Sequence, residues 1–133
     1  MRVFIIIIVA VIVVLCVLHY LFPLIQVCGD SMYPTYLDGQ IIIGCRLFRR
    51  KKRKVGEVVI YRSPEENGRK IVIKRVADVN VTFNQVAYYC LGDNADHSYD
   101  SRYYGAISSE NLVCRVLNQR RNCNVYNQER RNS

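Results

Sequence analysis

The sequence predicts a mainly β protein: one N-terminal transmembrane helix followed by a small antiparallel β-sheet or barrel domain. Three observations predict it. An unbroken apolar run from Val3 to Leu18 opens the chain. Beyond Gln26, short apolar runs alternate with turn residues. No window after the first segment carries apolar residues at a period of 3.6. The expected division is 1–25 as a membrane anchor, 26–117 as a β-rich catalytic domain and 118–133 as a polar, basic tail. The chain has 133 residues, and about 105 of them follow the anchor, enough for one small core but not for a further cofactor domain. A composition of 50% hydrophobic and 23% charged residues excludes a disordered chain. No region repeats another, so a solenoid is excluded as well.

Val3–Ile25 has His19 and Tyr20 as its only strongly polar members. About 20 apolar residues cross the hydrocarbon core of a bilayer. Val and Ile form helices weakly in water, but lipid leaves the backbone no other local way to satisfy its hydrogen bonds. His19, Tyr20 and Pro23 suit the interfacial end, where the helix stops. A cleavable secretory signal is the rival reading. It calls for an apolar region of roughly 7–15 residues and small residues at the cut. This run is longer, no Ala-x-Ala follows it, and Leu15 before Cys16 does not fit a lipid-attachment site. A retained anchor is expected. Arg2 and the amino terminus are the cations that precede it, which predicts a cytoplasmic amino end and an extracytoplasmic domain.

The candidate strands are Gln40–Arg46, Glu57–Arg62, Arg69–Val76, Gln85–Leu91 and Asn111–Leu117, each rich in Val, Ile or Tyr. Between them lie Asp38-Gly39, the Arg49–Gly56 stretch, Ser63–Gly68 and Gly92–Gly105.

The net charge of +8 is concentrated. Arg46, Arg49, Arg50, Lys51, Lys52, Arg53 and Lys54 supply seven of the 19 cations. Such a cluster attracts acidic lipid headgroups or nucleic-acid phosphates; the simpler reading is a solvated loop joining two strands. No aromatic or Gly-rich readout elements accompany it, so nucleic acid is not expected as a partner. Of six cysteines, Cys16 lies in the apolar run. Cys28, Cys45, Cys90, Cys114 and Cys123 form no Cys-x-x-Cys pair, so zinc spacing is missing. They read as small apolar side chains on strands.

Candidate chemistry starts from the two histidines. His19 lies in the anchor, so a Ser-His-Asp site would need His97, and metal sites built on several histidines are excluded. A hydroxyl nucleophile can instead be activated by a lysine that has lost its proton. Burial lowers a lysine pKa from about 10.4 by roughly 3–5 units. Strand alternation puts Lys74 on one face with Val72 and Val76, and Arg75 on the other with Ile73. A core-facing Lys74 would be desolvated; at a sheet edge it would not. In Gly29–Thr35, Gly29 permits close backbone approach and Pro34 stiffens the chain after Ser31. Gly92–Gly105 is dense in turn formers and charges, with Asp100 and Arg102 placed to pair.

Taken in this order behind an anchor, these segments resemble the type I signal peptidase family, membrane-bound serine proteases with a Ser/Lys dyad. The resemblance covers Val27 to about Val113. Ser31-Met32-Tyr33-Pro34-Thr35 is similar to the nucleophile motif and Gly56–Tyr61 to a structural strand. Ile73-Lys74-Arg75-Val76 resembles the general-base motif, and Gly92–Gly105 the Gly-Asp-Asn…Ser-x-Asp-Ser-Arg motif. The resemblance implies Ser31 as nucleophile, Lys74 as general base and Ser98 as the hydroxyl that orients the base. It implies Asp100 and Arg102 as a supporting ion pair, with Asp93 and Asn94 in the same scaffold. Ser31 and Gly29 fall at the oxyanion site, and Val27, Met32 and Ile73 at positions lining shallow pockets for small residues. It further implies a bacterial cytoplasmic-membrane enzyme that cleaves signal peptides of exported precursors without metal or cofactor. A mitochondrial inner-membrane protease is the second origin. Four features depart from the family pattern. Val76–Asn80 replaces a Pro-Gly-Asp turn, and Ala95 stands where a basic residue is common. Gly29 lacks a hydroxyl that some relatives use on the oxyanion, and only 17 residues separate Lys74 from Gly92. Competing readings are a self-cleaving repressor-type Ser/Lys peptidase and a catalytically silent, membrane-tethered binding module using the Arg46–Lys54 cluster.

Overall fold

A computed structural model describes residues 1–47 and 51–119. Helix α1 spans Arg2–Leu21, and its side chains lie open to the surroundings from Arg2 to Tyr20. Its length and mean hydropathy of 3.2 suit a membrane span. Seven strands follow: β1 (Leu24–Gln26), β2 (Ile41–Cys45), β3 (Val58–Arg62), β4 (Ile71–Val81), β5 (Val86–Leu91), β6 (Ile107–Ser108) and β7 (Leu112–Val116). They form one sheet in the order β1-β2-β7-β3-β4-β5-β6, every neighbouring pair antiparallel. Among the described residues no pairing joins β1 to β6, so the sheet is open rather than a closed barrel.

The anchor ends four residues earlier than its apolar pattern predicts. Pro23 stops the helix, since it has no N–H to extend the ladder. Leu24–Gln26 then finds a better partner across the sheet, pairing Leu24 with Ile43 and Gln26 with Ile41. The exit is tied down by bonds from Arg46 N–H to the Leu21 carbonyl and from Gly44 N–H to the Pro23 carbonyl. Strand β4 runs five residues past its expected end at Val76. Where a Pro-Gly-Asp turn was the family pattern, the strand carries a bulge at Ala77, with Val76 opposite Cys90 and Asp78 opposite Tyr89.

Strand β3 shows why the domain holds together. Val58 and Ile60 enter one cluster with Met32, Tyr36, Ile42 and Cys114. Val59 and Tyr61 enter the other with Val76, Tyr88, Ile107 and Leu112. Both faces of the central strands are therefore covered, and each buried aliphatic side chain contributes roughly 1.5–3 kcal/mol.

The basic stretch joins β2 to β3 as expected, but it is not uniformly solvated. Arg53 is buried, with its N–H on the Tyr88 hydroxyl, and the Arg46 guanidinium lies 4.8 Å over the Tyr20 ring. Lys51, Lys52 and Lys54 are exposed; Arg49 and Arg50 lie outside the described residues. Cys45, Cys90 and Cys114 are buried free thiols, and Cys16 and Cys28 are exposed ones; Cys123 lies outside the described residues. Of the tail placed at 118–133, the Asn118 carbonyl accepts the Tyr36 hydroxyl and the Gln119 side chain bonds the Val58 backbone. Residues 120–133, with Val125 and Tyr126, lie outside the described part.

Candidate active site

Strand β4 places Lys74 opposite Val59 and between Val72 and Val76, with only 4% of the residue exposed. Its Nζ donates to Ser31 Oγ at 2.6 Å. Burial is the main reason its pKa falls from 10.5 to about 8. Asp100 and Asp93 oppose that fall, while Lys70 and Arg102 add to it. Ser31 comes from the loop before β2. Gly29 takes a positive φ of 84°, and its N–H donates to Asp38 Oδ1 at 2.7 Å.

The 92–105 loop closes the site from the other side. Asp100, 0% exposed, accepts the Gly92 N–H and the Ser98 hydroxyl at 2.9 and 2.7 Å. Arg102 reaches the same carboxylate through Nε and NH2, both at 2.9 Å. Burial alone would raise the Asp100 pKa; the Arg102, Gly92 and Ser98 hydrogen bonds outweigh it and hold the group at about 2. Asp100 also caps the one-turn helix α2 (Ser101–Tyr104). Asp93 joins three pieces of chain. It takes Nε and NH2 of Arg75 at 2.8 and 2.6 Å and the Thr35 hydroxyl at 2.5 Å.

Gly92 is where this loop passes over the Ser31 segment. A Cβ there would overlap the Ser98 side chain and stand 2.6 Å from the Ser31 carbonyl oxygen. Because Ser31 O is backbone, the clash cannot be relieved by a rotamer change. Gly92→Ala is therefore expected to lower the melting temperature and to reduce peptide cleavage at least tenfold. An unchanged melting curve and unchanged cleavage would show that the loop does not sit this close.

The structure brings Ser31, Lys74, Ser98, Asp100, Arg102, Asp93 and Asn94 into one region and distributes their tasks unevenly. Ser98 points its hydroxyl at Asp100; its expected hydrogen bond to Lys74 is not among those of the described residues. Gly29 offers no free donor to an oxyanion, because Asp38 takes its N–H. Val27 and Met32 are 2% and 0% exposed and belong to the core cluster rather than to an open surface. Ile73 is half-buried at that cluster's edge. His97 is exposed. Sequence reasoning missed Asp38 and the role of Thr35. Arg75 was legible in principle: it neighbours Lys74 in a strand covered on both faces, so a buried partner was required.

A family model described as signal peptidase, peptidase S26, matches residues 1–80 and 77–118. The chain belongs to this signal peptidase family. The family is one of serine peptidases, and together with α1 the membership describes a membrane-anchored protein. No curated protein matched the sequence. Strand β4, which carries Lys74, turns directly into β5, and β5 leads into the Gly92–Gly105 loop.

Proposed function

We propose that this protein is a membrane-anchored serine endopeptidase that removes signal peptides from exported precursors after small residues of the Ala-x-Ala type. Ser31 is the nucleophile and Lys74 the general base. The observation that carries the reading is the 2.6 Å contact between a hydroxyl and an amine stripped of water. With the amine neutral, the same contact runs from the Ser31 O–H to the Nζ lone pair. Ser31 Oγ then attacks the scissile carbonyl while Nζ takes its proton. The carbonyl electron pair becomes an oxyanion, held by the Ser31 N–H. Collapse of that intermediate breaks the C–N bond, and Lys74 returns the proton to the leaving amine. Water, deprotonated by the same lysine, hydrolyses the acyl-enzyme.

Placement supports the substrate class. Ser31 is ten residues past the end of α1 at Leu21, at most about 33–36 Å of extended chain. The pairing of Leu24–Gln26 with β2 shortens that reach. A protease held so close acts on peptide bonds near the lipid surface, with its amino end cytoplasmic and its domain outside a bacterial cytoplasmic membrane.

The test is cleavage of a precursor in lipid vesicles containing the full chain. Ser31→Ala and Lys74→Ala are each expected to lose activity by at least about a thousandfold, and His97→Ala to lose less than threefold. Retained activity in Lys74→Ala would remove the dyad. The pH profile adds an independent check. Lys74 works only when neutral, so kcat/KM should rise about tenfold per pH unit below about 8 and level off above it. A midpoint near 6.5 would point to a histidine instead.

A further inference from the structure

The peptide units on either side of Ser31 are both held by Asn94. Its Nδ2 donates to the Asp30 carbonyl at 3.0 Å, and its backbone N–H donates to the Ser31 carbonyl at 3.0 Å. The Asp30 carbonyl also accepts the Tyr33 N–H at 3.0 Å, a bond internal to the nucleophile turn. Asn94 thus ties both peptide units flanking Ser31 to the 92–105 loop, beside the Thr35–Asp93 bond from the same loop and the Lys74 bond to the Ser31 side chain. The Asp30–Ser31 peptide is trans, so its N–H points opposite to its C=O. Holding the carbonyl toward Asn94 therefore aims the Ser31 N–H away from the 92–94 turn. That N–H has no acceptor among the described residues, whereas the Gly29 N–H is taken by Asp38.

We propose that Asn94 is a positioning residue whose side-chain amide sets the direction of the Ser31 N–H, the donor that receives the oxyanion. The inference rests on the Ser31/Lys74 reading above. It bears more weight here than in a site with a neighbouring hydroxyl, because Gly29 supplies no side-chain donor. Complete loss of one oxyanion donor costs roughly a hundred- to a thousandfold in kcat. Tyr33 retains part of the orientation in the absence of Asn94, so a smaller loss is expected.

The experiment uses the full chain in detergent micelles with two variants. Asn94→Ala removes the side-chain tether and keeps the backbone one; Asn94→Asp keeps the size and loses the donor. Three quantities are read: kcat and KM for a peptide ending its cleaved half in Ala-x-Ala, inhibition by the corresponding peptide aldehyde, and binding of the uncut peptide to the same variants carrying Ser31→Ala. The aldehyde adds to Ser31 Oγ and forms a tetrahedral oxyanion; the uncut peptide does not.

Both variants are expected to lose about ten- to fiftyfold in kcat and to weaken aldehyde inhibition by a similar factor. KM and peptide binding on the Ser31→Ala background should change less than twofold, and the acid limb of the pH profile should stay near 8. The proposal is overturned if kcat is unchanged, or if peptide binding weakens as much as aldehyde inhibition. It is also overturned if both variants lose their cooperative melting transition, which would make Asn94 a structural residue. If the unmodified chain fails to cleave, or Ser31→Ala still cleaves, the dyad reading fails first and separately.

Discussion

Lys74→Met is expected to abolish cleavage and, in the same molecule, to make the fold more stable. Met matches Lys in length and shape, so the space between Val72 and Val76 stays filled. The lysine is costly where it sits. Its pKa is about 8 in the fold against an ordinary 10.5, and at about 1.4 kcal/mol per unit this penalises the folded state by roughly 3 kcal/mol. Because the folded value lies below the unfolded one, the penalty is complete below about pH 8 and is relieved as pH rises towards 10.5. Losing the bond to Ser31 offsets about 1 kcal/mol, leaving a net gain of about 1–3 kcal/mol at pH 7. Thermal melting of the full chain in detergent from pH 7 to 10 checks this. The variant should melt higher at pH 7, with the difference shrinking towards pH 10. A variant that melts lower throughout, or by a pH-independent margin, would mean that the amine is not desolvated.

That cost also explains how much of the site the sequence disclosed. A lysine flanked by Val72 and Val76 in an apolar strand contradicts the hydrophobic pattern, and local contradictions of this kind gather at functional sites. The five central strands were equally plain, since alternation and turn residues are local signals. Leu24–Gln26 was hidden because in sequence it continues the apolar run; only Pro23 and the partner strand 15 or more residues away separate it from the helix. Strand β6 is two residues long and exists through pairing with Ala87 and Tyr88, a contact no local pattern announces. Asp38 was missed for a related reason. A carboxylate in Asp38-Gly39 reads as turn chemistry, and its bond to Gly29 crosses nine residues.

Arg75 and Asp93 show the other side of this economy, charges buried for architecture. Their side chains are 8% and 1% exposed and meet through two parallel bonds; Arg75 NH1 adds the Gly56 carbonyl at 2.8 Å. Such a pair adds little compared with an apolar one, but removing one partner strands the other in low dielectric. Arg75→Met is expected to cost about 3–5 kcal/mol, because Asp93 would keep only the Thr35 hydroxyl. At roughly 4–8 °C per kcal/mol for a domain near 100 residues, the melting point should fall by more than about 12 °C. Cleavage should fall with it, since Thr35 lies four residues after Ser31 and the Asp93 carboxylate that accepts its hydroxyl, one of the loop's bonds to that segment, loses the Arg75 bonds that fix it. Arg75→Met combined with Asp93→Asn removes the stranded charge and should recover about half of the stability. Activity should stay low in that double variant, because the Arg75 bonds to Gly56 and Asp93 are still missing. Thermal melting and vesicle cleavage of the two variants decide the matter. If the single variant melts within about 3 °C of the unmodified chain, or the second change recovers nothing, the pair is not the buried clamp that its geometry describes.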